Sequence, residues 1–304
     1  MLASLTPSSL KQYNVHLKRW WLFCEENSWD PMEITVDRIL RFLILLHEQQ
    51  LSYSSINAAR SAVSLISSPD GGIGKDPTVS RFMRGIFKKN PQIPKYNCTW
   101  DVLPVLNFLK SLYPLENLTL MQLTQKLVTL VALATAHRVQ TLAAIKIKDI
   151  NKRKDGIEVP ISSCIKTTRP GSKQPVLWLP YFRDYPSLCV ASTMDHYLRT
   201  TESIRGNSDS LFLSYQKPHQ SVCSQTLSHW IKSVMKLAGI DSKYTAHSTR
   251  HAATSKARAK GVDVETIRKT AGWSSESSVF QKFYNQPIIN NTENVFSQSV
   301  FSDM

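Results

Sequence analysis

The sequence lacks the motifs by which many phosphate-handling and metal-dependent enzymes are recognised. It contains no GxxxxGK[ST], no GxGxxG and no HExxH, and only ten glycines occur in the chain. These absences argue against a P-loop, a dinucleotide-binding fold and a zinc metalloprotease. The second half also offers no convincing cluster of carboxylates, which two-metal nucleases need to hold their ions. We therefore expect chemistry that uses neither a metal nor a cofactor.

Long apolar runs and paired cysteines are also missing. No stretch approaches the roughly 20 apolar residues that span a membrane, and the first residues lack the order of a signal peptide. The five cysteines are an odd number, and no two of them form a CxxC pair. We expect reduced thiols, no membrane association, and a protein of the cytosol or nucleus.

The charge of the chain points to a polyanionic partner. The sequence has 304 residues, a formal net charge of +14 and 42% hydrophobic residues. Such a chain can bury full cores, and its length fits two domains better than one. A basic excess of this size favours nucleic acid as the partner, although a merely soluble basic protein has the same composition.

Periodicity and turn residues predict a mainly α protein with a small β-hairpin. About four short helices fill residues 1–90, a proline-containing linker follows at 91–98, and a second domain covers 99–304 with a tail at 287–304. In the second domain, apolar spacing predicts one continuous helix over 118–145 and a last helix over 274–287. Strands are expected at 155–166 and 175–182 around a basic turn, and at 211–215.

A basic stripe marks the fourth helix. Arg81, Arg84 and Lys88 recur at spacings of three and four, so they lie on one face. Lys89 and Lys95 extend the stripe, and no acidic residue occurs between positions 76 and 101. An unpaired basic face fits phosphate contacts; the alternative is an ordinary solvated surface.

The stretch AHSTRHAATS, at residues 246–255, carries the densest group of candidate site residues. His247 and His251 have a spacing that could hold zinc, but Arg250 between them disfavours a metal. Arg138 lies in an apolar run, where a guanidinium is costly unless it meets an anion. That anion is either a buried carboxylate or a bound phosphate. Tyr284 follows an aromatic segment and is either a core residue or a nucleophilic hydroxyl.

Taken in order, these residues resemble the signature of the tyrosine recombinases (phage-type integrases). The matching segments are TAHRVQTL, CIKTTRPG, HSTRH, TAGWSS and FQKFYNQP. The resemblance extends over nearly the whole chain, since the first helices look like the family's SAM-like DNA-binding domain. The amino-acid sequence of these segments is most similar to the recombinases of eukaryotic DIRS/Ngaro-like and Crypton-like mobile elements. By resemblance, the catalytic residues are Arg138, Lys166, His247, Arg250, Trp273 and Tyr284.

The resemblance implies a reaction and partners. Tyr284 would attack the scissile phosphate of double-stranded DNA, with His247 accepting its proton and Lys166 protonating the leaving 5′ oxygen. Arg138, Arg250 and Trp273 would bind the phosphate oxygens. Members of the family assemble as tetramers on DNA by docking a C-terminal helix on a neighbour, and the tail here carries a narrow apolar stripe. The predicted DNA-binding residues are Arg81, Arg84, Lys88, Lys89, Lys95, Arg169 and Lys173.

Two departures from the family pattern leave the reacting groups intact. Thr141 stands where the family commonly has an acidic residue, and Thr249 where it commonly has leucine. His251 matches a frequent family histidine, interpreted as a supporting residue. Two other functions remain open: an element-derived DNA-binding protein without strand exchange, and a type I topoisomerase. A nuclear location is expected for a recombinase of a eukaryotic element.

Overall fold

The structure, a computed structural model, describes residues 5–67, 72–91, 96–171, 173–274 and 277–289. The chain divides into two compact units, Met1–Lys95 and Tyr96–Met304. Helices dominate both, and the second unit contains a small three-stranded sheet. This confirms the predicted fold class. Among the described residues, no helix combines the length and the apolar character needed to cross a bilayer.

The described residues of the first unit form four α-helices, and each of these begins at a polar capping residue. Side-chain oxygens of Thr6, Thr35, Ser52 and Asp76 accept hydrogen bonds from the first-turn backbone N–H groups. These bonds satisfy donors that have no partner within the helix. The helices are α1 (Pro7–Glu26), α2 (Val36–Glu48), α3 (Tyr53–Ile66) and α4 (Pro77–Lys89).

An aromatic cluster forms the centre of the first unit. Trp20 is fully buried and meets Phe42 edge-on, with ring centroids 5.3 Å apart. Trp21, its neighbour in the sequence, stays 55% exposed. Helix α4 buries Val79 and Met83 on one side, so its basic residues lie on the opposite side.

The second unit is built around helix α6, whose residues from Leu123 to Ala132 are all buried. Helices α8, α9 and α10 pack against it, and this packing accounts for its nearly continuous apolar sequence. The elements in chain order are β1 (Thr99–Trp100), α5 (Leu103–Ser111), α6 (Leu120–Thr135), α7 (Val139–Ala143), β2 (Asn151–Lys152), β3 (Gly156–Pro160), β4 (Val176–Pro180), α8 (Val190–Thr201), α9 (Ser224–Leu237), α10 (Ser248–Ala259), α11 (Val264–Thr270) and β5 (Ile288–Ile289).

The sheet has the order β2-β3-β4 and is antiparallel, with Glu158 opposite Trp178. The predicted hairpin is present, but its strands are shorter and its loop runs over 161–175. The strand predicted at 211–215 is wrong, because only an isolated bridge joins Leu213 to Ser221 there. Strands β1 and β5 pair in parallel, which ties the segment after Tyr284 to the start of the unit.

The continuous helix predicted over 118–145 is also wrong. Helix α6 ends at Thr135 and is capped by Ala136, which adopts a left-handed conformation with φ of 50°. Arg138 is the extended residue that precedes α7. The Thr135 hydroxyl accepts a hydrogen bond from the backbone N–H of His137 within this break. The last predicted helix is likewise reduced to a single π-helical turn, Phe280–Tyr284.

Candidate active site

The phenol of Tyr284 and the imidazole of His247 meet in the second unit. Tyr284 ends the π-helical turn, and His247 precedes the first residue of α10. The distance from His247 Nε2 to Tyr284 Oη is 2.9 Å, which is hydrogen-bonding distance. Tyr284 is only 7% exposed. A hydroxyl and a base are therefore paired in a nearly closed setting.

Several contacts from the same chain hold the Tyr284 segment in place. The Ser255 hydroxyl donates to the Tyr284 carbonyl at 2.7 Å and accepts from the Gln286 N–H at 3.1 Å. The His251 ring stacks on the Tyr284 ring, with centroids 4.1 Å apart and planes 21° apart. The carbonyl of Pro287 accepts from the Thr99 N–H at 2.8 Å. Sequence analysis missed Ser255 and Gln286, because small polar residues carry no signal of such a role.

Arg250 is the most deeply buried cation of the site, at 1% exposure. Its Nη1 donates to the Ala136 carbonyl at 2.6 Å and to the Ala271 carbonyl at 2.8 Å. Its Nε and Nη2 have no hydrogen-bond partner in the part of the chain that the structure describes. One side of the guanidinium therefore joins two backbone segments, and the other side is free for an anion.

Trp273 packs flat against this guanidinium. The Arg250 Cζ lies 3.9 Å from the centre of the Trp273 ring, a separation typical of a cation–π contact. The same indole lies 4.8 Å from the Tyr284 ring, centroid to centroid. Its buried Nε1 has no partner among the described residues. Trp273 thus fixes the plane of Arg250 and adds a second unused donor.

Arg138 and Lys166 complete the positive cluster. Arg138 is half-buried, and its charge lowers the pKa of both Arg250 and His247, in each case after the larger effect of burial. No carboxylate is paired with it among the described residues. Lys166 is exposed in the loop between β3 and β4, near enough for its charge to lower the pKa of His247 further.

The electrostatics of the site keep its histidines neutral. Burial is the main cause that lowers the pKa of His247, followed by the charges of Arg250, Arg138 and Lys166. Burial also lowers the pKa of His251 to about 4. A neutral imidazole can accept a proton. The described residues include no group of three or more His, Cys, Asp or Glu side chains that could hold a metal ion.

The described residues among those predicted to bind DNA lie on two elements, and all of them are exposed. Arg81, Arg84, Lys88 and Lys89 are exposed on α4, and none of them forms an ion pair with a described residue. Arg169 and Lys173 are exposed in the loop between β3 and β4. Lys95 and the predicted tail helix lie outside the described residues. We call Arg81, Arg84 and Lys88 the basic face of α4.

Comparisons with known proteins identify the family and the fold of the chain. A family model described as "Phage integrase family" matches residues 109–288, more than half of the chain. No curated protein matches the sequence. Among solved structures, the fold is similar to the XerH site-specific recombinase bound to difH in a post-cleavage complex, with TM-score 0.63 and 16% identity, covering 96% of this chain and 79% of that one.

Two further structures share the fold. The Tn1549 transposon integrase in complex with transposon right end DNA has TM-score 0.56 and 12% identity, and the match covers 89% of this chain and 86% of that one. A lambda integrase tetramer bound to a Holliday junction has TM-score 0.52 and 15% identity, covering 91% of this chain and 72% of that one. At these identities the likeness concerns the fold.

Proposed function

The chain belongs to the phage integrase family, and we propose that it cuts and rejoins DNA through a covalent bond between Tyr284 and a 3′ phosphate. The observation that carries the proposal is the 2.9 Å contact between the Tyr284 hydroxyl and His247. Beside this contact, Arg250 and Trp273 present buried donors that no described residue satisfies. A nucleophile, a base and donors for an anion are the minimum that phosphoryl transfer requires.

The first step forms one bond to phosphorus and breaks another. Tyr284 Oη attacks the phosphorus, and its proton passes to the neutral imidazole of His247. The charge that develops on the non-bridging oxygens is stabilised by the free side of Arg250 and by Arg138. The indole N–H of Trp273 donates to the same phosphate. The bond between phosphorus and the 5′ oxygen then breaks.

The leaving 5′ oxygen takes a proton as it departs, and Lys166 is the proposed donor. Its loop position lets the amine approach the cluster that already contains His247 and Arg138. Attack of a 5′ hydroxyl from another strand on the phosphotyrosine reverses the chemistry and yields a recombined strand. Because the phosphotyrosyl bond keeps the energy of the broken phosphodiester, the proposal includes neither ATP nor a metal ion.

Binding of duplex DNA is proposed to rely on the basic face of α4, with Lys89, Lys95, Arg169 and Lys173 as further phosphate contacts. Lysine and arginine supply most of the sequence-independent affinity for a DNA backbone. The resemblance of the sequence motifs to those of recombinases from eukaryotic mobile elements supports integration of such an element in the nucleus as the biological role.

Self-association on DNA is proposed to use the last residues of the chain. The second unit has an apolar cleft of about 420 Å³ between α5, α6 and α10, lined by Leu106, Leu130, Leu133, Phe182 and Ala257 among others. Val295, Phe296, Val300 and Phe301 provide apolar side chains of matching character in 290–304. We propose that this segment of one protomer occupies the cleft of its neighbour, giving a closed tetramer.

A covalent-trapping experiment tests the reaction. A library of random duplexes, each with a nick that lets the cut end diffuse away, is incubated with the protein, and adducts that survive denaturation are sequenced. Wild type should form an adduct, while Tyr284→Phe should form none and still bind DNA. The matched control is Tyr244→Phe, because burial raises the pKa of that phenol and makes it a poor nucleophile.

The outcomes separate the rival functions. An adduct with Tyr284→Phe would refute the assignment of the nucleophile. Binding by wild type without any adduct would indicate a DNA-binding protein without strand exchange. Adducts and relaxation of supercoils with no joining of a second duplex would indicate a topoisomerase.

A further inference from the structure

His137 is a buried imidazole beside the candidate site to which the proposed reaction gives no role. It lies in the break between α6 and α7 and is 7% exposed. It directly precedes Arg138 in the chain. A solvent-facing residue at this position would need no explanation, but a buried polar ring next to two arginines requires specific partners.

The ring contacts the turn that follows α11. It lies close enough to the Thr270 backbone for that backbone to favour the protonated ring, although burial has the larger and opposite effect on the ring's pKa. It also lies against Gly272, where an added Cβ would come within 2.6 Å of the His137 Cε1. Gly272 has φ of 67°, a conformation that favours glycine. His137 therefore touches two backbone positions of one short turn.

These two contacts join the segments on which the reacting groups are mounted. One segment carries Arg138, and the other carries Trp273 directly after Gly272. Arg250 Nη1 bridges the same two segments through the carbonyls of Ala136 and Ala271. The His137 ring thus forms a second connection, one residue away from the first on each segment. Two connections fix a relative orientation that one connection leaves free to rotate.

The charge state of the ring suits this role. Burial, and then the charges of Arg250 and Arg138, lower the pKa of His137 to about 4. The ring is therefore neutral at physiological pH and adds no third positive charge to the pair of guanidinium groups. The neutral ring still carries one N–H group, which can donate to the nearby Thr270 carbonyl.

We propose that His137 is a positioning residue that holds the segment of Arg138 against the segment of Trp273 through its packing on Gly272, next to the Thr270 backbone. Its contribution to DNA cleavage rests on the proposed function, while the connection itself does not. Because a misplacement of about 1 Å at a reacting group can cost on the order of a hundredfold in rate, loss of this connection should slow cleavage without weakening DNA binding.

The first experiment measures single-turnover cleavage of a nicked substrate at saturating protein, together with the Kd for that DNA. His137→Leu should lower the cleavage rate by roughly tenfold to a hundredfold and leave the Kd unchanged. His137→Asn or His137→Gln should restore much of the rate, because one amide or the other places its donor near a ring nitrogen. Unchanged cleavage in His137→Leu, or equal losses in all three variants, would overturn the proposal.

The second experiment tests the connection without any reaction. The free energy of unfolding is measured for Gly272→Ala, His137→Ala and the double variant. The matched control is Gly206→Ala, since Gly206 has φ of 51° and no atom within 4 Å of an added Cβ. Gly272→Ala should destabilise more than Gly206→Ala, and the excess should vanish in the His137→Ala background.

The two experiments fail independently. Additive effects of His137→Ala and Gly272→Ala would show that the ring does not join the segments, whatever the enzyme does. A wild-type protein that forms no DNA adduct would instead refute the proposed function, and the unfolding cycle would still decide on the connection.

Discussion

The double use of Arg250 predicts that its removal damages stability as well as catalysis. In Arg250→Ala, the carbonyls of Ala136 and Ala271 both lose the donor that reaches them at 2.6 and 2.8 Å. Hydrogen bonds from a charged donor contribute about 1.5–3 kcal/mol each, and stacking on Trp273 adds about 1 kcal/mol. The substitution should therefore remove about 4–7 kcal/mol of favourable contacts.

Part of this loss is recovered, because the substitution also removes a buried charge. Burial and the nearby Arg138 lower the pKa of Arg250 from 12.5 to about 10, which corresponds to a cost of about 3 kcal/mol for keeping the group charged. The expected net destabilisation is the difference, about 1–4 kcal/mol. For a domain of roughly 200 residues, each kcal/mol lowers Tm by about 2–4 °C.

Arg138→Ala is the matched comparison. Arg138 is half-buried and is paired with no carboxylate among the described residues, so its removal relieves repulsion with Arg250. The DNA cleavage rate of both variants should fall on the order of a hundredfold or more, but only Arg250→Ala should have a lower Tm than wild type. Calorimetry of the free protein and cleavage of the nicked substrate measure the two effects. Equal Tm values for the two variants would refute the dual role of Arg250.

The remaining predictions concern pH, backbone strain, salt and assembly. Burial lowers the pKa of His137 and of His251 in the folded protein from 6.5 to about 4. Because the unfolded chain therefore binds protons first, the free energy of unfolding should fall by up to about 3 kcal/mol per histidine as the pH falls from 6.5 to 4. In urea unfolding, His251→Phe should lose less of this free energy than wild type. Ala136→Gly should raise the unfolding free energy by about 1 kcal/mol through relief of the left-handed conformation, and an unchanged value would contradict it. Removal of any one residue from the basic face of α4 should lower the slope of log Kd against log salt by about one, which a salt titration would show. Deletion of 290–304 should leave DNA binding intact but reduce tetramers in light scattering, whereas full assembly would mean that the segment packs on its own domain.

The regular helices were the most predictable part of the fold, because local signals determine them. Thr35 and Ser52 cap two of the helices predicted within residues 1–90, and the spacing of the basic residues indicates the exposed side of α4. A side-chain oxygen that satisfies the first N–H groups acts within three residues, so a single sequence contains the whole signal. The group of candidate site residues was also recoverable, since their order along the chain matches a family pattern.

The break at Ala136 was not predictable from local sequence. Residues 118–145 are rich in alanine, leucine and threonine, and nothing in them opposes a continuous helix strongly. The break is stabilised by Arg250, which donates to the Ala136 carbonyl from a position 114 residues away. Local propensity is a weak preference that such tertiary contacts override. The π-helical turn at Tyr284 is similar, because it depends on the contact of its last carbonyl with Ser255.

This long-range stabilisation has a consequence for how the site forms. A guanidinium that must bind phosphate needs part of its hydrogen-bonding edge free, yet a fully unpaired buried cation would be too costly to retain. Arg250 meets both requirements, since Nη1 is satisfied by two carbonyls while Nε and Nη2 have no partner among the described residues. Carbonyls can be offered in this way only where backbone leaves regular structure, as it does at Ala136 and after α11. The irregular segments next to Arg138 and Trp273 are therefore a condition for burying Arg250, and the fold that buries this cation also places those two residues beside it.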